Sequence, residues 1–359
     1  MDGKVLLATL ALAAVLICVP AFWADADAGF VVTDGTGEDF VYEGAAERMV
    51  VNGSAVALTI ADAGAVDKIV AVDKYSTYEY TKYEGLEGLG AVDLGSFYGT
   101  TNHDHIVTTL VKMVEEGELS LDDTVILTSY SSNVQLRERL NESGFTKVLV
   151  WTTIEDYGDV VRMVESVSRI ASGGVPDSVT SMKDSVADVE RRAAEHSGER
   201  PKALYVWYYN KELQIGNTGI MKSMLDVCKA DNIGYDPANP SARYGDVNTI
   251  VKLLGENKDA VVFVSNSYFS SGKGLDDFYS EVFGGDRSVK AVQMGLQWNN
   301  WCPESAEGLK EIADALYGSE PAPQPEPQPA FNSNVLIYVL AAVALLAIAA
   351  ALLLLRKKG

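Results

Sequence analysis

The sequence predicts an α/β protein whose two parallel-sheet lobes are joined by a long helical backbone, with a ligand cleft between them. Strand-like apolar runs alternate with helical segments in two stretches of the chain, and two consecutive helical stretches separate them. Such alternation is typical of βαβ units and parallel sheets. We assign the first lobe to residues 29–153, the helical segment to 154–199 and the second lobe to 200–318.

The first lobe is predicted to contain four strands, each of them a short apolar run. They are residues 48–53, 68–73, 124–129 and 147–152. A helix over residues 54–65, stopped at Gly64, follows the first strand. An amphipathic helix over residues 134–144 precedes the fourth strand, with Leu136 and Leu140 one turn apart and Gly144 closing it.

Two helices are then predicted with no strand between them. Residues 154–172 carry one apolar stripe, and residues 178–198 carry a second one. The stripes consist of Val160, Val161, Val164, Val167 and Ile170, and of Met182, Val186 and Val189. The strand pattern resumes in the second lobe. Its strands are predicted at 202–209, 260–265 and 288–294, and its helices at 221–230, 247–256 and 304–318.

The two ends of the chain indicate a single-pass membrane protein with its body on the extracellular face. Residues 5–22 are apolar, follow Lys4 and precede small residues, which is typical of a secretory signal over residues 1–28; an uncleaved N-terminal anchor is the alternative. Residues 335–355 form a stretch of uncharged residues long enough to cross a bilayer core of ~30 Å. The basic tail at 356–359 places the C-terminus in the cytoplasm by the positive-inside rule.

A stalk is predicted between the second lobe and the transmembrane helix. Residues 319–334 carry proline at every second position from Pro321 to Pro329. Proline fixes φ and removes backbone donors, which favours a stiff, extended spacer. The body is therefore expected to be a monomer tethered outside the cell.

Composition narrows the possible partners. The net charge of −21 argues against nucleic acid and against an anionic membrane surface. Only Cys228 and Cys302 lie in the body. An oxidising exterior would permit a disulfide between them, and two buried thiols are the alternative.

Three successive aromatic residues, Trp207, Tyr208 and Tyr209, end a predicted strand of the second lobe. Side chains alternate between the two faces of a strand, so Trp207 and Tyr209 should point one way and Tyr208 the other. Ligands of open parallel sheets bind at the carboxyl ends of strands. At least one ring is therefore predicted to reach the cleft, and the alternative is that all three belong to the core.

The body resembles the substrate-binding proteins of ABC importers for iron-siderophores, haem and vitamin B12. The resemblance lies in the order and spacing of residues 47–80, which include the loop Tyr75-Ser76-Thr77-Tyr78, of residues 136–151 and of residues 216–233. It implies two lobes on a rigid helical backbone with limited hinge motion. It also implies a receptor that captures an iron or cobalt chelate and delivers it to an importer permease, with no resident cofactor.

By position, the resemblance implies ligand contacts from several loops. The aromatic residues in these loops are Tyr75, Tyr78, Phe97, Tyr98, Trp207, Tyr208, Tyr209, Tyr244, Trp298 and Trp301. Aromatic rings suit large, flat or apolar chelates because they offer much contact area for little lost side-chain entropy.

The segment T-N-H-D-H-I-V contains His103 and His105, which could ligate a metal or a haem iron. The alternative is a capped helix start, with Asn102 or Asp104 as the cap. Tyr98 or Tyr208 could instead ligate ferric iron or haem. We include His103 among the ligand-binding candidates and assign no metal site to the protein itself.

Members of the family usually carry one acidic residue on the rim of each lobe, which meets arginines of the permease. Asp104 falls close to that place in the first lobe. In the second lobe the matching position is near Ile250, and Asp246 is the nearest acid. This departure keeps a second hypothesis open: an exterior ligand-sensing or interaction protein with the same fold and no importer.

A third hypothesis, an exterior hydrolase or metal-dependent enzyme, has little support in the sequence. The chain has no G-x-S-x-G elbow, no H-E-x-x-H motif and no cysteine–histidine pair suited to nucleophilic catalysis. The glycine- and serine-rich segment 266–277 lacks the spacing of a phosphate-binding loop. We therefore predict that the protein is not an enzyme.

Overall fold

A computed structural model describes residues 29–76, 86, 88–129, 131–152, 155–217, 219–238, 243–295 and 300–319. The predicted signal peptide, transmembrane helix and tail, and all but the first residue of the predicted stalk, lie outside these residues. Within the described ranges, no helix combines the length and the apolar character needed to cross a membrane.

An antiparallel hairpin that the sequence analysis did not predict precedes the first lobe. It consists of β1 (Phe30–Thr33) and β2 (Asp39–Tyr42). In its turn, the buried Asp34 carboxylate forms an ion pair with Arg137 at 2.9 Å and accepts a hydrogen bond from the backbone N–H of Val150 at 2.9 Å. The hairpin is thereby fixed to the edge of the first sheet.

The first lobe contains a fully parallel sheet, as predicted, with five strands where four were predicted. Its strands are β3 (Arg48–Val51), β4 (Ile69–Val72), β5 (Val92–Asp93), β6 (Thr124–Thr128) and β7 (Val148–Val150), in the order β5-β4-β3-β6-β7. The helices are α1 (Ser54–Asp62), α2 (His103–Glu115) and α3 (Asn133–Glu142), with a 3-10 turn at Val66–Lys68. The four predicted strands and the predicted helices around α1 and α3 are confirmed.

The two predicted interlobe helices are also confirmed, as α4 (Tyr157–Ser172) and α5 (Asp177–Glu195). The carboxylate of Asp156 caps α4 by accepting a hydrogen bond from the backbone N–H of Asp159, and the side chain of Asp159 completes a capping box. Gly173 ends this helix in the left-handed conformation at φ 78°. The predicted apolar stripe of α4 is buried.

The second lobe contains a six-stranded sheet formed by β8 (Lys202–Tyr209), β9 (Glu212–Gly216), β10 (Asp231–Asn232), β11 (Arg243–Tyr244), β12 (Val261–Val264) and β13 (Lys290–Gln293). Its order is β11-β9-β8-β12-β13, with β10 beside the start of β8. The helices are α6 (Ile220–Val227), α7 (Val247–Glu256), α8 (Asn266–Phe269), α9 (Leu275–Phe283) and α10 (Ser305–Tyr317).

The expectation of a fully parallel second sheet is wrong for two of its strands. β9 runs antiparallel to β8, and β11 runs antiparallel to β9. The cause is a two-residue turn, because Asn210 and Lys211 have φ values of 51° and 66° and Tyr209 pairs with Glu212. Two successive residues with positive φ match the twist of a tight hairpin. The chain therefore folds back at once after Tyr209.

Three hydrophobic cores hold the lobes together. A shared core contains residues of both sheets, such as Met49 of β3 and Phe263 of β12, together with the helical segment. Within it, α4 packs on α1 and α6, and α5 packs on α6 and α10. The other face of each sheet has a core of its own. Both sheets and these three cores belong to one compact unit that ends at Tyr317, so we expect residues 29–319 to fold as one unit.

Candidate ligand-binding cleft

The carboxyl ends of the two sheets lie on the same side of the molecule. β7 is followed along the chain by α4 after residues 151–156, and β13 by α10 after residues 294–304, so the start of each helix comes after the carboxyl end of its strand. The hydroxyl groups of Tyr157, the first residue of α4, and Ser305, the first residue of α10, are hydrogen-bonded at 2.7 Å, and both residues are buried. The edges at which open parallel sheets bind ligands therefore border one interlobe region.

A buried polar network forms the rim of the first lobe. The Nδ2 atom of Asn52, just after β3, donates to the Asp73 carboxylate, just after β4, at 3.0 Å. The Oδ1 atom of Asn52 accepts from the backbone N–H of Ser129 and from the Nδ2 atom of Asn133, each at 3.1 Å. The sequence analysis missed this network because it joins loops that are distant in sequence.

Asp73 organises the loop that carries Tyr75. Its carboxylate accepts hydrogen bonds from the backbone N–H of Gly53 at 3.0 Å, from the hydroxyl of Ser76 at 2.6 Å and from the backbone N–H of Tyr75 at 3.3 Å. Burial raises the pKa of Asp73, whereas these hydrogen bonds and the one from Asn52 oppose the rise. These hydrogen bonds thus fix Tyr75 and Ser76 at the start of the loop.

The aromatic candidates of the first lobe occupy different environments. Tyr75 is half-buried, with the ammonium group of Lys74 at 4.7 Å from its ring centroid. Tyr98 is 72% exposed. Phe97 is fully buried in the outer core of the first lobe, so a ligand does not contact its ring in this structure, and its assignment to the site is corrected. Tyr78 lies outside the described residues.

The two histidines of α2 point into different surroundings. His103, the first residue of the helix, is buried, whereas His105 is exposed. Residues two apart on a helix do not share a face, so these histidines are not arranged to ligate one metal together. Burial lowers the pKa of His103, and the nearby Arg139 guanidinium adds to this effect. His103 therefore belongs to the interior beneath the rim and not to its surface.

The expectation that Asn102 caps α2 through its side chain is also corrected. Asn102 occupies the N-cap position, but its side chain makes no capping hydrogen bond. Its Nδ2 atom donates instead to the backbone carbonyls of Leu94 at 2.7 Å and Ser96 at 3.1 Å. Asn102 thus fastens the loop that carries Tyr98. Among the described residues, no group of three or more His, Cys, Asp or Glu side chains could hold a metal ion.

In the second lobe, Trp207, Tyr208 and Tyr209 alternate as the strand period predicts. The guanidinium carbon of Arg243 lies 3.9 Å from the ring centroid of Tyr209 and 5.8 Å from that of Trp207, which places these three residues together on one face. The ring of Tyr208 contacts that of Tyr268 edge-on at 5.4 Å on the opposite face. We call the segment from Trp207 to Tyr209 the aromatic arm.

The aromatic arm extends beyond the parallel part of its sheet. Val206 is the last residue of β8 that pairs with β12, and the arm pairs only with β9. Tyr209 at the tip is 45% exposed, and Trp207 is partly buried against the shared core. Tyr208 lines a separate cavity of about 430 Å³ together with Lys211, Asp246 and Glu281. Only one face of the arm, that of Trp207 and Tyr209, carries Arg243.

Tyr244 and Trp301 are less exposed than the tip of the arm. Tyr244 of β11 is half-buried, and its hydroxyl donates to the backbone carbonyl of Gly234 at 2.6 Å. Trp301 follows β13 and packs partly against the shared core. Trp298 lies outside the described residues. The sequence analysis did not select Arg243, which contacts the rings of Tyr209 and Trp207.

The two acidic docking candidates are both at the surface. Asp104 has a side chain that is 86% exposed and forms an ion pair with Arg139, which lowers the pKa of its carboxyl group. Asp246 caps α7 by accepting a hydrogen bond from the backbone N–H of Thr249 at 2.9 Å, and this lowers its pKa. Ile250, at the position that the resemblance matched, is fully buried.

The two cysteines of the body are both buried and are in the thiol form. Burial raises the pKa of Cys228 to about 12. A thiol with so high a pKa is scarcely ionised at neutral pH and is therefore a poor nucleophile.

The fold can be compared with that of solved structures. The chain has the two-lobe α/β fold of periplasmic binding proteins, as the sequence resemblance implied. Neither a protein-family model nor a curated protein matches the sequence. The likeness therefore rests on solved structures.

Three of these structures illustrate the likeness. The periplasmic vitamin B12-binding protein BtuF of Vibrio cholerae is 17% identical, with a TM-score of 0.53 over 76% of this chain and 96% of that one. The TroA-like periplasmic binding protein FepB of Veillonella parvula is 14% identical, with a TM-score of 0.59 over 80% and 90%. The periplasmic haem-binding protein RhuT of Roseiflexus sp. RS-1 is 13% identical, with a TM-score of 0.51 over 76% and 98%. Identities this low show a common fold alone.

Proposed function

We propose that the protein is a solute-binding receptor, and not an enzyme, which captures a metal chelate between its two lobes. The chelate classes that we propose are iron-siderophore, haem and corrinoid. One observation supports the proposal: the aromatic arm extends beyond the parallel part of the second sheet at its carboxyl edge, the kind of edge where proteins with open parallel sheets bind ligands.

The face of the arm that carries Trp207 and Tyr209 is proposed as the ligand contact of the second lobe. Tyr75 and Tyr98, on loops after β4 and β5, are proposed as contacts of the first lobe. The network of Asn52 and Asp73 holds the start of the first of these loops, at Tyr75 and Ser76, in place before a ligand arrives. A pre-organised site loses less conformational entropy on binding, which favours affinity.

We further propose that the receptor is tethered to the membrane by residues 335–355 and delivers its ligand to an importer permease. The support is the uncharged C-terminal segment with its basic tail and the fold shared with periplasmic binding proteins. A tethered receptor remains close to its permease at a high effective concentration. Asp104 and Asp246 are the proposed contacts with the permease.

Native mass spectrometry of residues 29–319 tests the receptor directly. The protein is examined alone and with ferric siderophores, haem and cobalamin, and tryptophan fluorescence is followed in parallel. We expect a saturable one-to-one complex with one chelate class and quenching of the fluorescence. Trp207→Ala should weaken this complex at least tenfold, because it removes the largest ring on the proposed contact face.

Tyr208→Ala provides the matched comparison, since this ring lies on the opposite face of the same arm. It should weaken binding much less than Trp207→Ala does. Equal losses would mean that the arm matters only for folding. The absence of any complex across the panel would refute the chelate receptor.

A second candidate function is a ligand-sensing or interaction protein with no importer. The role of Asp246 as the cap of α7 favours it, because that carboxylate already has a structural partner in its own chain. Reconstitution with a candidate permease separates the two functions. A docking receptor should lose uptake in Asp104→Ala with its ligand affinity unchanged, whereas unchanged uptake would favour the sensor.

A further inference from the structure

Two tripeptides of the chain have the form N-x-S/T with a residue other than proline in the middle. They are Asn52-Gly53-Ser54 and Asn141-Glu142-Ser143. In proteins exported from the cell, this form is the acceptor for attachment of an oligosaccharide to the asparagine amide, and the modified asparagine lies at the surface. The structural surroundings of the two asparagines therefore decide which of them can bear a glycan in the folded protein.

Asn52 is enclosed and has no room for a glycan. It has no exposed surface, and its Nδ2 atom, to which the sugar would be attached, donates to the Asp73 carboxylate at 3.0 Å. Its Oδ1 atom accepts from the backbone N–H of Ser129 and from the Nδ2 atom of Asn133. A glycan here would disrupt the buried network at the rim of the first lobe.

Asn141 has the opposite surroundings. It lies in the last turn of α3 and is exposed, and no hydrogen bond joins its side-chain amide to another residue in the described part of the chain. The helix ends inside the tripeptide, because Ser143 is the C-cap and Gly144 has a left-handed φ of 98°. Helix ends open locally at little cost in free energy, so this acceptor is accessible even in the folded body.

The helix α3 also places Asn141 away from the rim of the cleft. Its first residue, Asn133, is bonded to Asn52 at the carboxyl edge of the first sheet. Just beyond its end, Gly144 lies beside the side chain of Leu121, which precedes β6. At a rise of ~1.5 Å per residue, Asn141 is about 12 Å from Asn133 along the helix axis. The site is therefore near the amino edge of the sheet.

Two arginines of α3 show which flank of the helix bears the site. Arg139 forms an ion pair with Asp104 at the start of α2. Arg137 forms an ion pair with Asp34 of the N-terminal hairpin. Because residues four apart share a helix face, Asn141 lies on the flank of Arg137. A glycan would thus extend beside the hairpin, on the side away from the proposed docking residue Asp104.

We propose that Asn141 is an N-glycosylation site and that Asn52 remains unmodified. The proposal rests on the exterior location that is part of the proposed function. The donor, by chemical class, is an oligosaccharide linked to a polyisoprenyl phosphate or diphosphate. A bond forms between Nδ2 of Asn141 and the anomeric carbon of the first sugar, and the bond from that carbon to the phosphate oxygen breaks. The phosphate leaves with the electron pair, the amide releases one proton, and no atom is oxidised or reduced.

Peptide mapping by mass spectrometry tests this assignment on the full-length protein. The protein is purified from the membranes of the cells that naturally produce it and is digested with trypsin, which separates residues 140–147 from residues 49–68. We expect the mass of a glycan on the first peptide and none on the second. An unmodified Asn141, or a glycan on Asn52, would overturn the proposal.

Variants of Ser143 test whether the tripeptide itself is recognised. Ser143→Ala keeps Asn141 but removes the hydroxyl that the acceptor form requires, so occupancy by the glycan should fall at least tenfold. Ser143→Thr retains a hydroxyl at this position and should keep the glycan. Equal occupancy in Ser143→Ala and the wild type, or loss of the glycan in both variants, would contradict glycosylation through this tripeptide.

The position of the site predicts a second readout. Because Asn141 lies away from the rim, the full-length Ser143→Ala protein should bind a chelate with the same affinity as the glycosylated wild type, to within about twofold. A larger change would contradict the placement of the glycan outside the cleft.

Chelate binding by residues 29–319, produced without a glycan, keeps this proposal apart from the receptor function. A chelate complex together with an unmodified Asn141 in the natural protein would support the receptor and refute the glycosylation site. A glycan on Asn141 together with failure of every chelate would support the glycosylation site and the exterior location, and it would refute the chelate receptor.

Discussion

The buried amide of Asn52 connects three strands of the first lobe. It follows β3, donates to Asp73 after β4, and accepts from Ser129 after β6 and from Asn133 at the start of α3. Both of its side-chain atoms are used, and the residue has no exposed surface. A buried network of this kind fixes a local structure only while every member remains bonded.

Asn52→Ala should therefore destabilise the protein by about 3 kcal/mol, since it leaves the Ser129 N–H and the Asn133 amide buried without their acceptor. Urea denaturation of residues 29–319 measures this change. Asn141→Ala, at an exposed position near the end of α3, is the control and should change stability by less than about 0.5 kcal/mol. A similar result for both variants would mean that water replaces the lost hydrogen bonds.

His103 should make stability depend on pH. Its pKa is lowered in the folded protein, chiefly by burial and also by Arg139, while Asp104 acts in the opposite direction. The folded state thus binds fewer protons at this site than the unfolded chain, whose histidine has a pKa of about 6.5. The stabilising contribution is complete above that value and is lost as the pH falls from it toward the lowered pKa.

Chemical denaturation at several pH values between 7.5 and 5.5 tests this prediction. The wild-type protein should lose more stability over this interval than His103→Gln, in which the titrating group is absent. His105→Gln, two residues along on an exposed position of the same helix, should behave like the wild type. If His103→Gln and the wild type have parallel pH profiles, His103 does not contribute.

Single-residue predictions from the sequence succeeded where a local rule applied. The alternation of Trp207, Tyr208 and Tyr209 follows from the strand period alone. The stacking of Arg243 on this arm could not be predicted from the sequence. β11 does not pair with β8 and is connected to it only through β9, which lies between them. The burial of Phe97 was missed for a similar reason, since its neighbours in the outer core come from distant segments.

At the scale of elements, the hairpin of β8 and β9 determines where the aromatic arm lies. Its turn contains two residues with positive φ, Asn210 and Lys211. Asparagine tolerates this conformation, whereas lysine is strained in it because its Cβ atom crowds the backbone. The most favoured sequence for such a turn is Asn-Gly.

Lys211→Gly should accordingly raise the free energy of unfolding by about 0.5–1 kcal/mol, because relief of the strain exceeds the extra entropy that glycine gains in the unfolded chain. Denaturant titration provides the measurement. Lys211→Ala is the control, as it removes the same side chain but keeps the Cβ atom, and it should give no comparable gain. A stabilising Lys211→Ala would instead assign the effect to the charge of the lysine.

The elements that could be predicted are those with a strong apolar period. Each of the seven predicted strands has a counterpart in the structure, and all of them except the last, β13, contain a run of buried residues. The strands that escaped prediction are short or polar: β5, β10 and β11 have two residues each, and β9 alternates without an apolar run. The hairpin of β1 and β2 exposes Val31 and Val41 at the surface. Because these apolar residues point outward, the sequence does not show which face of the hairpin is buried.

At the scale of the whole molecule, the interlobe helices make the two lobes parts of one structure. α4 contacts both α1 of the first lobe and α6 of the second, and one core contains residues of both sheets. The hydrogen bond between Tyr157 and Ser305 joins the lobes at their carboxyl edges. This continuity favours a cleft that closes little, because large motion would expose the shared core to water.

The shared core also predicts how the protein unfolds. Residues 29–319 should show a single cooperative transition, detected alike by circular dichroism, by calorimetry and by fluorescence. Leu58 of α1 and Leu309 of α10 are both fully buried in this core, one in each lobe. Leu58→Ala and Leu309→Ala should each lower the free energy of unfolding by about 2–5 kcal/mol and move the whole transition.

Leu140→Ala, in the outer core of the first lobe, tests whether the coupling extends beyond the shared core. If the lobes unfold together, this substitution too should displace the entire transition, including the part reported by tryptophans of the second lobe. Two separate transitions, with Leu140→Ala shifting only one of them, would show that each lobe is stable alone. The interlobe helices would then act as a flexible hinge, and a ligand could be enclosed by a much larger closure than the shared core suggests.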